Sequence, residues 1–204
     1  MQIIQKYFTE LSDKQIQQFI DLKVLYESWN TKINVISRKN IHLLYTNHIL
    51  HSLAIAKLVS FKKGTKILDV GTGGGFPGIP LAILFPQVEF LLIDSISKKI
   101  KVVNNIRKSL DLVNVRTKDI RAENINESFD FVVSRAVTNM NEFNKWVAGR
   151  FNTYNNNSIR NGILYLKGGD LSEELQGITH KSYEISDFFV EDFFKTKKII
   201  YIEQ

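Results

Sequence analysis

The chain has 204 residues, 44% of them hydrophobic, and a formal net charge of +6, which modestly favours a polyanionic partner. Cysteine is absent, which excludes disulfides, thiolate metal ligands and a cysteine nucleophile, and the four histidines lack metal-ligand spacing, so no bound metal is expected. With no signal-peptide pattern and no apolar stretch near the ~20 residues that cross a bilayer, we expect a soluble cytoplasmic protein.

Residues 1–60 are predicted to form a helical N-terminal extension. Ser12 and Gln15 have the spacing of a capping box at the start of a helix. A second helix is predicted from about Asn40 to Ser60, after the polar and aromatic connector "WNTKINVISRKN". Its predicted inner side comprises Ile41, Leu44, Tyr45, His48, Ser52, Ile55 and Val59.

Residues 61–204 alternate short apolar runs with helical stretches, a rhythm typical of a parallel sheet buried on both faces. The predicted elements are, in order, KILDV, a helix over 78–85, VEFLLID, a helix over 97–110, VNVRTKD, FDFVVSRA, a helix near 140–150 and ILYLKGG. The Asn-rich stretch over 152–161, which precedes ILYLKGG, is predicted to be a loop with a flexible tip. Two closing strands, YEISDFFVED and TKKIIYIEQ, are predicted after ILYLKGG. We therefore predict an α/β fold: a doubly wound, mostly parallel Rossmann-like sheet with an antiparallel C-terminal edge hairpin.

A glycine-rich loop is predicted between the first strand and its helix, in "KILDVGTGGGFPGIPLA", where four of the eleven glycines lie within residues 71–75. Glycines there permit positive φ angles and let a ligand approach the backbone without meeting a Cβ atom. Asp94 ends the second predicted strand, where a carboxylate can accept hydrogen bonds from ribose hydroxyls. The sequence therefore predicts an adenosine-containing cofactor over the carboxyl ends of the strands.

Two cofactors compete for this loop. Residues 73–78 formally fit GxGxxG, which would indicate an NAD(P)-dependent oxidoreductase, but the chain shows no Tyr-x-x-x-Lys pair for hydride transfer. S-adenosylmethionine has no pyrophosphate to place at a helix N-terminus, and an acidic residue followed by spaced glycines, here Asp69, fits this cofactor better. Asp69 would either orient the loop or contact the methionine ammonium group through water. A non-catalytic RNA-binding module is a third alternative, which Asp94 and Arg135 oppose because neither is needed for folding.

Four segments, ILDVGTGGGFPGIPLA, LLIDS, FDFVVSRAV and LYLKGG, resemble in this order the glucose-inhibited division protein B family of bacterial methyltransferases. The connector and "HILHSL" resemble its N-terminal signature, although many members carry Asp where this chain has His51. The resemblance implies an S-adenosylmethionine-dependent methyltransferase domain over 61–204. It also implies methyl transfer to guanine N7 in 16S ribosomal RNA, free or in the small ribosomal subunit.

The resemblance also implies which residues bind the cofactor. They lie in the glycine loop, at the end of the second strand, after the third strand and at the end of the fourth strand: Gly71, Gly73 and Phe76; Asp94, Ser95 and Ile96; Ala122 and Glu123; and Arg135. Arg135 would face both the methionine part of the cofactor and the incoming guanine.

The residue types agree with this chemistry. Pyrimidine C5 methylation needs a cysteine adduct, and exocyclic amine methylation typically uses an Asn/Asp-Pro-Pro-aromatic loop, which prolines only at 77, 80 and 86 cannot form. Guanine N7 has a free lone pair, so no general base is expected. Because the product base is cationic, Arg135 is expected to contact O6, a phosphate or the methionine carboxylate.

Two further residues are candidate substrate contacts. Lys167 would meet a phosphate or stay solvated, and His48 would contact substrate or be a core histidine, the more common case. Nine basic residues would form either an RNA-facing surface or ordinary solvated faces. They are Arg38, Lys39, Lys62, Lys63, Lys98, Lys99, Lys101, Arg107 and Lys108. No role is assigned to either tryptophan.

Overall fold

A computed structural model describes residues 1–37 and 40–204, so Arg38 and Lys39 lie outside the described residues. Seven strands form one sheet in the order β3-β2-β1-β4-β5-β7-β6. Their bounds are β1 Lys66–Val70, β2 Glu89–Asp94, β3 Val115–Asp119, β4 Phe131–Arg135, β5 Gly162–Gly168, β6 Lys181–Glu184 and β7 Lys197–Glu203. Strands β1 to β5 are parallel, whereas β7 runs antiparallel to both β5 and β6. The predicted doubly wound sheet and C-terminal hairpin are confirmed, with β6 as the edge strand.

Seven α-helices accompany the sheet in the described residues: α1 Gln2–Tyr7, α2 Asp13–Asn30, α3 His51–Leu53, α4 Ile55–Leu58, α5 Gly78–Leu84, α6 Ser97–Ser109 and α7 Met140–Val147. The predicted capping box begins α2: the Gln15 amide donates to Ser12 Oγ at 3.3 Å, and the Ser12 amide donates to Gln15 Oε1 at 2.9 Å. None of the helices in the described part of the chain is long and apolar enough to cross a membrane.

The helix predicted over 40–60 is not regular. A 3₁₀ turn over Ile41–Leu43 and a π-helix over Leu44–Leu50 precede α3 and α4. The wider π turn shifts the buried side by about one residue. Ile49 and Leu50 are therefore fully buried, whereas Tyr45 and His48, predicted to face inward, are half-buried.

Alternating strand residues face two apolar clusters, one on each face of the sheet. One cluster joins Ile67 and Leu92 to α5 and α6, and it also includes Phe19 and Leu22 of α2. The opposite cluster joins Leu68 and its neighbours to α7. The N-terminal extension therefore buries its apolar residues in the same cluster as the sheet.

The predicted Asn-rich loop is confirmed, since residues 152–161 form no helix or strand. Asn157 anchors the loop: it is buried, and its Oδ1 atom accepts hydrogen bonds from the Lys62 amide at 2.9 Å and from Thr65 Oγ1 at 3.1 Å. One expectation about the last third is wrong. The strand predicted over 183–192 ends at Glu184, followed by 3₁₀ turns over Ile185–Asp187 and Asp192–Thr196. There Phe189 and Phe194 pack in the core with ring centroids 5.1 Å apart, which an extended strand would prevent.

The switch point of the sheet lies between β1 and β4, since the chain order runs outward in both directions from this pair. In doubly wound sheets, ligands bind outside the carboxyl ends of the strands at such a point. The loops that follow β1 and β4 begin at Gly71 and Ala136, so the fold places the glycine loop and Arg135 side by side.

Candidate functional site

Asp69, in strand β1, fixes the glycine loop that follows this strand. Its Oδ2 atom accepts hydrogen bonds from Thr72 Oγ1 at 2.6 Å and from the Gly78 amide at 2.9 Å, at the start of α5. The side chain is fully buried, and this burial raises its pKa to about 7. Of the two roles considered for Asp69, this geometry favours orienting the loop.

The backbone conformation of the loop requires glycine at two positions. Gly71 and Gly73 have φ angles of +65° and +58°, in the left-handed region that L side chains rarely adopt. A Cβ atom on Gly71 would lie 2.5 Å from Val137 Cγ2. The bare backbone therefore allows a close approach between the loops that follow β1 and β4.

Asp94 connects the glycine loop to the turn after β2. Its Oδ2 atom accepts a hydrogen bond from the Gly73 amide at 3.0 Å, and its Oδ1 atom accepts one from the Ile96 amide at 2.9 Å. Lys99 Nζ lies 3.7 Å from Oδ2. Each carboxylate oxygen can accept more than one hydrogen bond, so both retain capacity for a ribose hydroxyl.

A cavity of about 440 Å³ opens above these loops, a size within the range of small-ligand sites. All nine residues assigned to the cofactor line it: Gly71, Gly73, Phe76, Asp94, Ser95, Ile96, Ala122, Glu123 and Arg135. The residues named from four separate loops are thus brought together in one cavity, called the first cavity below.

Arg135, at the end of β4, is fixed by three neighbours. Its Nη1 atom donates to the carbonyl oxygen of Asn47 at 3.3 Å, and its Nη2 atom lies 3.1 Å from His48 Nδ1. Its Cζ atom lies 5.0 Å from the centroid of the Phe76 ring. Burial lowers the pKa of Arg135 to about 10, so the guanidinium remains charged at neutral pH.

A second cavity, of about 530 Å³, adjoins the first. Arg135, Ala136 and Val137 line both, so one short segment separates them. His48 and Lys167, the two candidate substrate contacts, line this second cavity, as does His51. The structure therefore groups the candidate substrate residues apart from most of the cofactor residues, with Arg135 at the boundary.

The candidate substrate residues are not solvated. Lys167 Nζ donates to Glu174 Oε1 and to the Thr138 carbonyl oxygen, both at 2.6 Å, so it is neither the solvated strand-end lysine nor an unpaired cation. Burial, with Arg135 nearby, lowers the pKa of His48 to about 3. Burial also holds the pKa of His51 well below its usual range, so both imidazoles are neutral at pH 7.

An adenosine-containing cofactor fits the first cavity. The glycine loop provides a surface without Cβ atoms, Asp94 provides a buried carboxylate with free acceptor capacity, and Ile96 and Trp146 provide apolar walls. Among residues 1–37 and 40–204, no group of three or more His, Asp or Glu side chains is placed to hold a metal.

Sequence reasoning missed several residues of both cavities. Val35 and Trp146 line the first cavity although neither was assigned a role, and Phe193 and Glu174 line the second. The Tyr26 hydroxyl donates to the carbonyl oxygen of Gly74 at 2.6 Å. These residues come from distant segments and carry no local motif, so only the packing of the folded chain reveals them.

Solved structures share this fold. An S-adenosylmethionine-dependent methyltransferase from Aquifex aeolicus superposes with a TM-score of 0.59, covering 81% of this chain and 97% of that one at 16% identity. A precorrin-6y C5,15-methyltransferase from Geobacter metallireducens superposes with a TM-score of 0.56, covering 76% and 87% at 14% identity. The fold is therefore that of class I S-adenosylmethionine-dependent methyltransferases.

The family is shown by much closer relatives. The family model described as rRNA small subunit methyltransferase G matches residues 14–199. The Ribosomal RNA small subunit methyltransferase G of Flavobacterium psychrophilum is 58% identical over 203 residues, covering 99% of this chain and 97% of the relative. The protein of the same name from Cytophaga hutchinsonii is 56% identical, covering 99% of each chain. The chain therefore belongs to the rRNA small subunit methyltransferase G family, which confirms the resemblance and removes the oxidoreductase and non-catalytic alternatives.

Proposed function

We propose that this protein transfers the methyl group of S-adenosylmethionine to N7 of one guanine in 16S ribosomal RNA, in the bacterial cytoplasm. The observation that carries the proposal is the pair of adjoining cavities that share Arg135, Ala136 and Val137. One has the carboxylate and glycine backbone that suit an adenosine, and the other has room for a nucleobase.

In this proposal the first cavity holds S-adenosylmethionine, which supplies an electrophilic methyl group. Asp94 would accept hydrogen bonds from the ribose hydroxyls, and its contacts with the Gly73 and Ile96 amides keep the carboxylate in place. Ile96 would cover the adenine, and Ala122 and Glu123 would contact its edge, since all three line the first cavity. The N-terminal extension borders the cleft through Val35, which lines the first cavity.

The second cavity holds the target base. Methyl transfer from a sulfonium is an in-line displacement, so the residues around the base act mainly by positioning it. N7 attacks through its own lone pair and needs no general base. The neutral state of His48 and His51 supports this assignment, since imidazoles with such low pKa values are poor proton acceptors.

Arg135 positions both reactants. It is fixed by Asn47, His48 and Phe76 at the boundary between the cavities. There its guanidinium can donate to the methionine carboxylate on one side and to guanine O6 or a phosphate on the other. A base in this cavity must be unpaired, because helical RNA hides its major groove from side chains.

The position of methylation tests the proposal. Small ribosomal subunits and free 16S RNA from a strain lacking this gene are incubated with the enzyme and radiolabelled S-adenosylmethionine. Borohydride and aniline then cleave the RNA at N7-methylguanine, and primer extension locates the cleavage. We expect one cleavage site that appears only with enzyme and cofactor. Label in the RNA without cleavage would place the methyl group on another atom, and no label would refute RNA methylation.

A substitution of Arg135 tests the site. Arg135→Ala is expected to lower methyl transfer at least 100-fold because it removes the group shared by both cavities. The matched control is Arg160→Ala, an exposed arginine before the amino end of β5, which pairs with Glu203 at 3.2 Å. Unchanged cofactor binding and unchanged methylation in Arg135→Ala would contradict the assignment.

A further inference from the structure

We propose that Glu174, together with Lys167, recognises the Watson–Crick edge of the target guanine. This inference rests on the proposed function and assigns a specificity-determining role to a residue that no sequence motif indicated. Both side chains line the second cavity with Arg135.

The geometry of the pair leaves one N–H group of Lys167, and acceptor capacity on both carboxylate oxygens of Glu174, for a ligand. Lys167 Nζ donates to Glu174 Oε1 and to the Thr138 carbonyl oxygen, which accounts for two of its three N–H groups. Glu174 Oε2 has no hydrogen-bond partner within residues 1–37 and 40–204. The side chains are only 10% and 23% exposed, so the ion pair is largely removed from water and a ligand there would meet it with little competition.

Guanine matches this arrangement better than adenine does. Along its Watson–Crick edge, guanine presents the acceptor O6 beside the donors N1–H and N2–H₂. An ammonium beside a carboxylate is complementary to that order, with Lys167 donating to O6 and Glu174 accepting from N1–H and N2–H₂. Adenine presents a donor followed by an acceptor, so it would set its N1 lone pair against the carboxylate and leave both charged groups unpaired.

The place of the pair in the cavity agrees with N7 chemistry. Arg135 lies at the boundary with the first cavity, whereas Lys167 and Glu174 line the second cavity and lie outside the lining of the first. N7 and the Watson–Crick edge point to different sides of guanine. A base that turns N7 towards the first cavity therefore turns N1 and N2 away from it, towards a different wall.

The experiment compares guanosine with inosine, which lacks only the N2 amine. Small subunits are reconstituted with 16S RNA that carries either nucleotide at the mapped position, and methyl transfer is measured as kcat/KM. We expect inosine to lower wild-type activity at least 10-fold, because a buried carboxylate loses a hydrogen bond. In Glu174→Ala, guanosine should be methylated at least 10-fold more slowly than by wild type, and the ratio between guanosine and inosine should fall to about 2 or less.

The matched control is Glu173→Ala, which removes the neighbouring exposed carboxylate and should keep the wild-type ratio. Glu174→Gln preserves the size of the side chain and carries the same comparison if Glu174→Ala does not fold. A purely structural ion pair would lower both rates and leave the ratio unchanged, which would overturn the inference. Equal wild-type rates on the two nucleotides would also overturn it while the proposed function stands. Absence of N7-methylguanine in the mapping experiment would refute the proposed function itself.

Discussion

The hydroxyl group of Tyr26 donates a 2.6 Å hydrogen bond to the carbonyl oxygen of Gly74, which connects helix α2 directly to the glycine loop. Tyr26 is fully buried, and its ring stacks on Phe76 with centroids 4.9 Å apart. A residue of the N-terminal extension therefore supports the loop that lines the first cavity.

Removing this hydroxyl is expected to affect both stability and cofactor binding. Tyr26→Phe leaves the buried Gly74 carbonyl without its donor, which should lower the free energy of unfolding by about 1–3 kcal/mol. S-adenosylhomocysteine should bind several-fold more weakly in isothermal titration. The control is Tyr45→Phe, since the Tyr45 hydroxyl donates to the Phe19 carbonyl oxygen at 3.0 Å. The control should lose stability but keep its affinity, and an unchanged affinity in Tyr26→Phe would contradict the supporting role.

A methyl group on Gly71 should abolish cofactor binding. Gly71→Ala pays about 1–2 kcal/mol for a left-handed φ angle and in addition sets its Cβ atom against Val137. Gly149→Ala is the matched control, because Gly149 has a φ angle of +70° and nothing within 4 Å of the added Cβ. Both variants should lose stability in thermal unfolding, but only Gly71→Ala should lose measurable S-adenosylhomocysteine binding. Equal binding by the two variants would argue against a close approach at Gly71.

The Asp94 carboxylate should supply much of the cofactor affinity. Asp94→Ala removes an acceptor for ribose hydroxyls and frees the Gly73 and Ile96 amides, so the dissociation constant of S-adenosylhomocysteine should rise about 10-fold to 100-fold. Asp119→Ala removes an exposed carboxylate at the aligned end of the neighbouring strand and should bind normally. NAD should bind to none of these proteins, and NAD binding that depends on Asp94 would reopen the identity of the cofactor.

Asp69 should make stability depend on pH. Its folded-state pKa of about 7 lies above the value of about 3.9 expected in the unfolded chain, so the folded state binds more protons between these values. Its contribution is therefore fully present below pH ~4 and is lost as the pH rises through 7. Asp69→Asn removes this dependence, so its stability relative to wild type should improve by about 2–3 kcal/mol between pH 5 and pH 8.

Denaturant unfolding at the two pH values measures this difference. His48 and His51 contribute in the opposite direction, since their lowered pKa values make stability fall as the pH drops below about 6.5. Their contribution is common to both proteins and cancels in the comparison. A constant difference between wild type and variant would show that Asp69 is ionised in the folded protein throughout this range.

The parts of the site that depend on local residue type could be predicted from the sequence. Asp94 is predictable because a carboxylate at the end of the second strand can accept hydrogen bonds from ribose hydroxyls. Gly71 is predictable because a glycine at this turn lets a ligand approach the backbone. Glu174 and Trp146 could not be identified in this way, since a charged loop residue and an amphipathic helix residue are common everywhere. The π turn that brings His48 to Arg135 was also missed, because a helical apolar pattern does not distinguish a wide turn from a regular one.

The segment from Arg135 to Val137 lines both cavities, and this has a thermodynamic consequence. If a ligand in one cavity shifts this segment, it changes the affinity of the other cavity, and linkage requires the same factor in both directions. If RNA binds more tightly to the enzyme that holds the cofactor, the cofactor must also bind more tightly to the enzyme that holds RNA. The two binding free energies change by the same amount. By the same linkage, S-adenosylhomocysteine left in the first cavity would change the affinity of the enzyme for its RNA.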